Sequence, residues 1–205
     1  MTDTKIKICG LMVEDDIRAV NEAKVDFAGF MFYPKSRRYV DFEKAAKLKK
    51  GLSSYIKSVG VFVNEEIDEI CRIAGSGIID LIQLHGSEDE LYIDEIRSRT
   101  GLPLIKAFRI ESREDAALAE KSPADYILLD NGAGGTGESF DWSLLADVKR
   151  DFFLAGGLDP SNVSDAVKTV RPWAVDVSSG VETDKHKDYK KIIEFAANIR
   201  GGRKL

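Results

Sequence analysis

The 205 residues predict an α/β chain closed into a (β/α)8 barrel of the TIM type, one domain over residues 1–205. Three observations carry this. Eight short β-rich apolar runs recur from end to end. Helix-like segments with apolar residues three and four apart lie between them. The length sits near the lower limit for eight strand–helix units, so insertions are few. Strand–helix alternation gives parallel βαβ units, and eight of them favour closure over a doubly wound open sheet.

The elements follow in order. "KIKIC" (5–9) is the first strand and "EDDIRAVNEAKV" the first helix. "DFAGFMF" (26–32) and "KSVGVFV" (57–63) are the next strands, the latter followed by the helix "EEIDEICRIAGSG". "IDLIQL" (79–84) leads into "SEDELYIDEIRSRTG". "LPLIKAF" (102–108) and "DYILLD" (125–130) are strands five and six. "FFLAG" (152–156) precedes the helix "DPSNVSDAVKTVRP", and "WAVDVS" (173–178) precedes "HKDYKKIIEFAANIRG". Several helices open on Asp, Ser or Asn and close on Gly or Pro, as start and stop signals should.

Composition narrows the function. Net charge is −5 and the 30 basic residues are scattered, so no stripe neutralises a nucleic-acid backbone. No apolar run approaches the roughly 20 residues of a membrane span, and the first ten residues do not read as a secretory signal. Two cysteines give no disulfide framework, which fits a reducing cytoplasm. Two histidines and two cysteines form no metal-ligand cluster at usable spacing. No metal, nucleic-acid or membrane partner is therefore expected. With no apolar stripe among the outer helices, the chain is expected to be a monomer.

In a barrel of this type the reactive site lies at the C-terminal ends of the strands. Those ends here are polar or glycine-rich. Gly156 and Gly157 end strand seven, and Ser179 and Gly180 end strand eight. Glycines admit close approach of backbone N–H groups to an anion, and a helix N-terminus adds partial positive charge, so this pair of loops is expected to hold a phosphate.

Cys9 ends strand one and Asp130 ends strand six. Side chains alternate along a strand, so Lys5, Lys7 and Cys9 share one face, and Lys7 is expected inside the barrel below the cysteine. Such an ammonium favours thiolate and lowers the thiol below its reference near ~8.5. The glycine-dense 131–140 loop is expected to close over Asp130, excluding water and making it a usable acid. Cys71 falls mid-helix on an apolar face and reads as packing. Lys35, Arg37 and Arg38 crowd the loop after strand two, where an arginine fork suits a carboxylate. His85 stands at the rim, as a substrate contact or a helix cap.

"KICGL", "GFMFYPKSRRYV", "GVFVNE", "IQLHG", "ILLD" with "GGTGESFDW", "LAGGLDPSNV" and "VDVSSGVE" occur in order over nearly the whole chain. Together they resemble the phosphoribosylanthranilate isomerases of tryptophan biosynthesis. The resemblance implies an Amadori rearrangement of N-(5-phosphoribosyl)anthranilate to 1-(2-carboxyphenylamino)-1-deoxyribulose 5-phosphate, without cofactor or metal. It implies Cys9 as general base and Asp130 as general acid. It assigns Arg38, not Arg37, to the substrate carboxylate, and Gly156, Gly157, Ser179 and Gly180 to the phosphate. Asp176 would stand close to the ribose. The residues after Asn131 depart from longer versions of that loop. Alternatives are the histidine-pathway isomerase, which uses two aspartates, and indoleglycerol phosphate synthase, which relies on lysines where only Lys106 matches. A catalytically dead barrel acting as a binding partner is the remaining alternative; it would be expected to lose Cys9 or Asp130, and both are present.

Overall fold

The computed structural model describes residues 4–131 and 141–201. Eight parallel strands close in sequence order: β1 (Lys5–Cys9), β2 (Phe27–Met31), β3 (Lys57–Phe62), β4 (Leu81–Leu84), β5 (Leu104–Arg109), β6 (Tyr126–Asp130), β7 (Phe152–Leu154) and β8 (Ala174–Val177). β1 pairs with β8 to complete the ring, with Lys7 opposite Asp176. No helix among the described residues is long and apolar enough to cross a membrane.

The two-residue period of the strands divides the core. Ile6 and Ile8 of β1 face outward into the large apolar layer between barrel and helices. Cys9 faces inward with Phe27, Val59, Val61, Leu81, Ile105, Leu128 and Phe153. At the N-terminal end, Phe27, Tyr126, Phe153 and Trp173 pack ring against ring, with Tyr126 stacked on Trp173 at 4.7 Å between centroids. These aromatics plug that mouth, so only the C-terminal mouth is left for a ligand.

The outer helices are α1 (Glu14–Glu22), α2 (Phe42–Gly51), α3 (Ile67–Gly75), α4 (Glu90–Thr100), α5 (Arg113–Glu120), α6 (Val163–Val170) and α7 (Tyr189–Ile199). Local chemistry starts and stops them. Asp41 and Asp89 accept from the backbone N–H groups of Lys44 and Tyr92, and Gly101 ends α4 in the left-handed region. Ser112 and Asp115 form a reciprocal capping box on α5.

Helices α2 and α5 were not among the clear periodic segments of the sequence. Among the described residues, 141–151 hold a 3-10 turn (Trp142–Leu145) rather than an α-helix, because so short a stretch leaves no room for one. The last helix starts at Tyr189, later than "HKDYKK" predicts. A hairpin precedes it, β9 (Glu182–Thr183) against β10 (His186–Lys187). Asp184 and Lys185 make its two-residue turn with φ of 49° and 67°, and Asp188 then caps α7.

Candidate active site

All nine sequence-predicted site residues line one cavity of about 400 Å3 at the C-terminal mouth: Cys9, Arg38, His85, Asp130, Gly156, Gly157, Asp176, Ser179 and Gly180. Cys9 and Asp130 end β1 and β6, with β7 and β8 between them. The loops after β7 and β8 therefore lie between the thiol and the carboxyl.

Gly156 and Gly157 adopt φ of +89° and +65°. Among the described residues, no backbone carbonyl takes up either of their N–H groups. Gly180 presses on the neighbouring loop: a Cβ there would stand 1.9 Å from the Leu158 carbonyl oxygen. Only a residue without a side chain at position 180 lets these loops touch, and both line the same cavity.

Below the thiol, Lys7 is fully buried, as the alternation predicts, and its Nζ lies 2.9 Å from Asp176 Oδ1. Burial disfavours the Lys7 ammonium, but Asp176 and Cys9 outweigh it and raise the group above its ordinary value. Cys9 behaves otherwise than expected. Burial pushes its thiol up, and the nearby ammoniums of Lys7 and Lys187 oppose this without reversing it. How completely the barrel removes water from the sulfur is not a property of neighbouring residues in the chain, and that desolvation is the larger effect.

His85 opens to the cavity. Gln83 Nε2 donates to its Nδ1 over 2.9 Å. An amide nitrogen only donates, so Nδ1 accepts and the neutral ring carries its proton on Nε2. Desolvation at the crowded rim holds the imidazole below its ordinary value, against the pull of Asp130 and Asp176. Among the described residues, nothing partners the buried Gln83 Oε1, which belongs to a residue that lines the cavity.

Arg38 crosses Gly10, whose φ is +78°; a Cβ there would meet Arg38 Cδ at 2.4 Å. The Arg38 guanidinium is held by Glu182, Nε to Oε1 at 2.7 Å and Nη2 to Oε2 at 3.1 Å. Arg37 also reaches Glu182, and Lys187 Nζ lies 3.0 Å from its Oε1. Desolvation of the Glu182 carboxyl is overcome by these cations, which hold it down to about 2. Lys187 is itself buried and donates to the Ser178 carbonyl at 2.8 Å.

Sequence reasoning missed Gln83, Glu182 and Lys187. Gln83 was visible as an inward residue two before His85. Glu182 and Lys187 carried no signal, because a charged pair just after a strand reads as solvated surface. Lys35 is exposed and does not line the cavity. Lys106, the one match to a lysine-based barrel, is held by Glu88 at 2.9 Å and the Gly86 carbonyl at 2.7 Å, outside the cavity. The expected closure of the 131–140 loop falls on residues 132–140, outside the described residues. Among the described residues, no group of three His, Cys, Asp or Glu is placed to hold a metal ion.

Comparison with known proteins places the chain in a family. The family described as N-(5'-phosphoribosyl)anthranilate (PRA) isomerase matches residues 6–198. A protein of Endomicrobium trichonymphae named N-(5'-phosphoribosyl)anthranilate isomerase is 46% identical over 200 residues, covering 96% of this chain and 98% of its own. A phosphoribosyl anthranilate isomerase crystallised with reduced 1-(o-carboxyphenylamino)-1-deoxyribulose 5-phosphate superposes with a TM-score of 0.87 at 39% identity, over 97% of this chain and 99% of the other. A structure described as monomers of the dimeric enzyme from Thermotoga maritima superposes with a TM-score of 0.86 at 38% identity, over 97% and 99% of the two chains.

Proposed function

The chain belongs to the N-(5'-phosphoribosyl)anthranilate isomerase family, and from that premise we propose how its cavity divides the work. The reaction is the isomerisation of N-(5'-phosphoribosyl)anthranilate to 1-(2-carboxyphenylamino)-1-deoxyribulose 5-phosphate, a step of tryptophan biosynthesis. The observation that carries the assignment is one cavity holding a buried thiol and a carboxyl on either side of a glycine-built anion wall.

The phosphate sits against Gly156, Gly157, Ser179 and Gly180, which fixes the ribose between Cys9 and Asp130. Asp130 gives its proton to the furanose ring oxygen, and the C1–O bond breaks to leave a Schiff base. The Cys9 thiolate takes the proton from C2, and the C2–H electrons form the enolamine. The enolamine tautomerises to the C2 ketone. Asp176 and His85 line the path of the sugar, and Arg38 holds the anthranilate carboxylate.

The reacting form has a thiolate and a carboxylic acid. It differs from thiol plus carboxylate by one internal proton transfer, with no change in net charge. Burial works against that transfer at the sulfur, and Lys7 and Lys187 work for it. A free-thiol base also calls for a reducing compartment, in keeping with a cytoplasmic enzyme. A monomer is the proposed state in solution, and sedimentation equilibrium tests it.

The test of the assignment is the decay of anthranilate fluorescence with substrate generated in situ. Wild type should turn over, and Cys9→Ser and Asp130→Asn should each lose about 10²–10⁴-fold in kcat. An active Cys9→Ser enzyme would place the base elsewhere.

A further inference from the structure

Glu182 follows the phosphate loop of β8 and touches neither thiol nor acid, yet its carboxylate gathers three cations: Arg37, Arg38 and Lys187. The hairpin builds this cluster. Lys187 of β10 is the direct cross-strand partner of Glu182 of β9. Arg37 is committed at both ends, through Nη2 to Glu182 and through Nη1 to the Lys185 carbonyl at 2.7 Å. Lys187 is committed to Ser178 and Glu182.

Arg38 differs. It gives Glu182 its side edge, Nε and one Nη2 hydrogen. A guanidinium has five N–H donors in a planar fork. The terminal edge, made by Nη1 and the second Nη2 hydrogen, remains, and no described residue accepts from Nη1. Arg38 lines the cavity while its stem runs against Gly10. One carboxylate among three cations also leaves the cluster with surplus positive charge, which favours an arriving anion.

We propose that Glu182 is a positioning residue: it holds Arg38 by the side edge so that the terminal edge is presented to the carboxylate on the substrate's aromatic ring. This rests on the reading of Arg38 as the carboxylate anchor. Glu182 then sets specificity for a ring that bears an ortho carboxylate, and does so through Arg38 rather than by touching the substrate. A planar fork held on one edge loses little freedom when the other edge binds.

The test compares two inhibitors, reduced 1-(2-carboxyphenylamino)-1-deoxyribulose 5-phosphate and its phenylamino counterpart lacking the carboxylate. Wild type should prefer the first. E182Q should weaken the carboxylate-bearing inhibitor by roughly tenfold and leave the other unchanged, with KM rising more than kcat falls. R38K should show the same selective loss, and the double variant should lose no more than R38K alone. E182D, which keeps the charge but withdraws it by one methylene, should give a smaller selective loss and serves if E182Q does not fold. Equal weakening of both inhibitors, or of neither, in a folded Glu182 variant would overturn the role of Glu182 while leaving Arg38 in place. A wild type that binds both inhibitors equally would overturn the Arg38 reading, and the proposal with it.

Discussion

Lys7 and Asp176 face each other across the β1–β8 seam, 2.9 Å apart, one layer below the sulfur of Cys9. The pair sets the Lys7 ammonium, partly offset by the Asp176 carboxylate, under a thiol whose ionisation burial opposes. The balance of these charges against burial, rather than the cysteine alone, sets how readily a thiolate forms.

Lys7→Met removes that charge. The pH at which iodoacetamide alkylates Cys9, measured in a Cys71→Ser background, should rise, because the ammonium that favours thiolate is gone while the Asp176 carboxylate stays. Activity should fall at neutral pH and recover partly in alkali. An unmoved alkylation profile would show that Lys7 does not act on the sulfur.

Gly180→Ala pushes a methyl into the Leu158 carbonyl, which lies 1.9 Å from the required position. The two phosphate loops must separate. We expect destabilisation of about 1–3 kcal/mol from overpacking. Affinity for the reduced product analogue should fall by at least about tenfold, read by fluorescence titration. Wild-type affinity would mean that the β8 loop does not form the anion wall.

Lys106→Met leaves Glu88 buried without its cation, its carboxylate held by backbone N–H groups such as those of Asn64 and Gly86. Breaking a buried pair from one side costs about 3–5 kcal/mol. Thermal unfolding should drop by about 6–20 °C for a chain of this size. The rate constant kcat, assayed at 20 °C, should stay within a few-fold. Loss of chemistry without loss of stability would instead make Lys106 a participant in the reaction.

Glu182 ties stability to acid. Its carboxyl is held at about 2 in the fold against an ordinary 4.5. Between those values the unfolded chain binds the extra proton, so the contribution is complete above 4.5 and disappears as pH falls toward 2. Urea unfolding at pH 5 and pH 3 should show wild type losing more stability than E182Q. Equal losses would mean the three cations do not stabilise the charged form.

The legibility of the site divides along the same physical lines. Cys9, Asp130 and the glycine pairs sit at strand ends, and strand ends show as the point where an apolar run meets polar or glycine-rich residues. Parity alone put Lys7 inside the barrel, because alternation along a strand is a local rule. Helices α2 and α5 were harder, since their charged residues mask the period and only their caps at Asp41 and Ser112 announce them. The hairpin at 182–187 was hidden because an Asp-Lys turn with both residues in the left-handed region has no strong residue signature.

By itself the sequence determined the strand–helix order, the closed parallel barrel, and which side chains end strands at the mouth, because each depends on period, capping and turn chemistry within a few residues. Only the tertiary structure decided that Glu182 holds Arg38, which is 144 positions away, and that Asp176 meets Lys7, 169 positions away. It also decided the direction of the Cys9 shift. Desolvation is the sum of everything packed around an atom, and for Cys9 that surrounding arrives from strands spread along the whole chain.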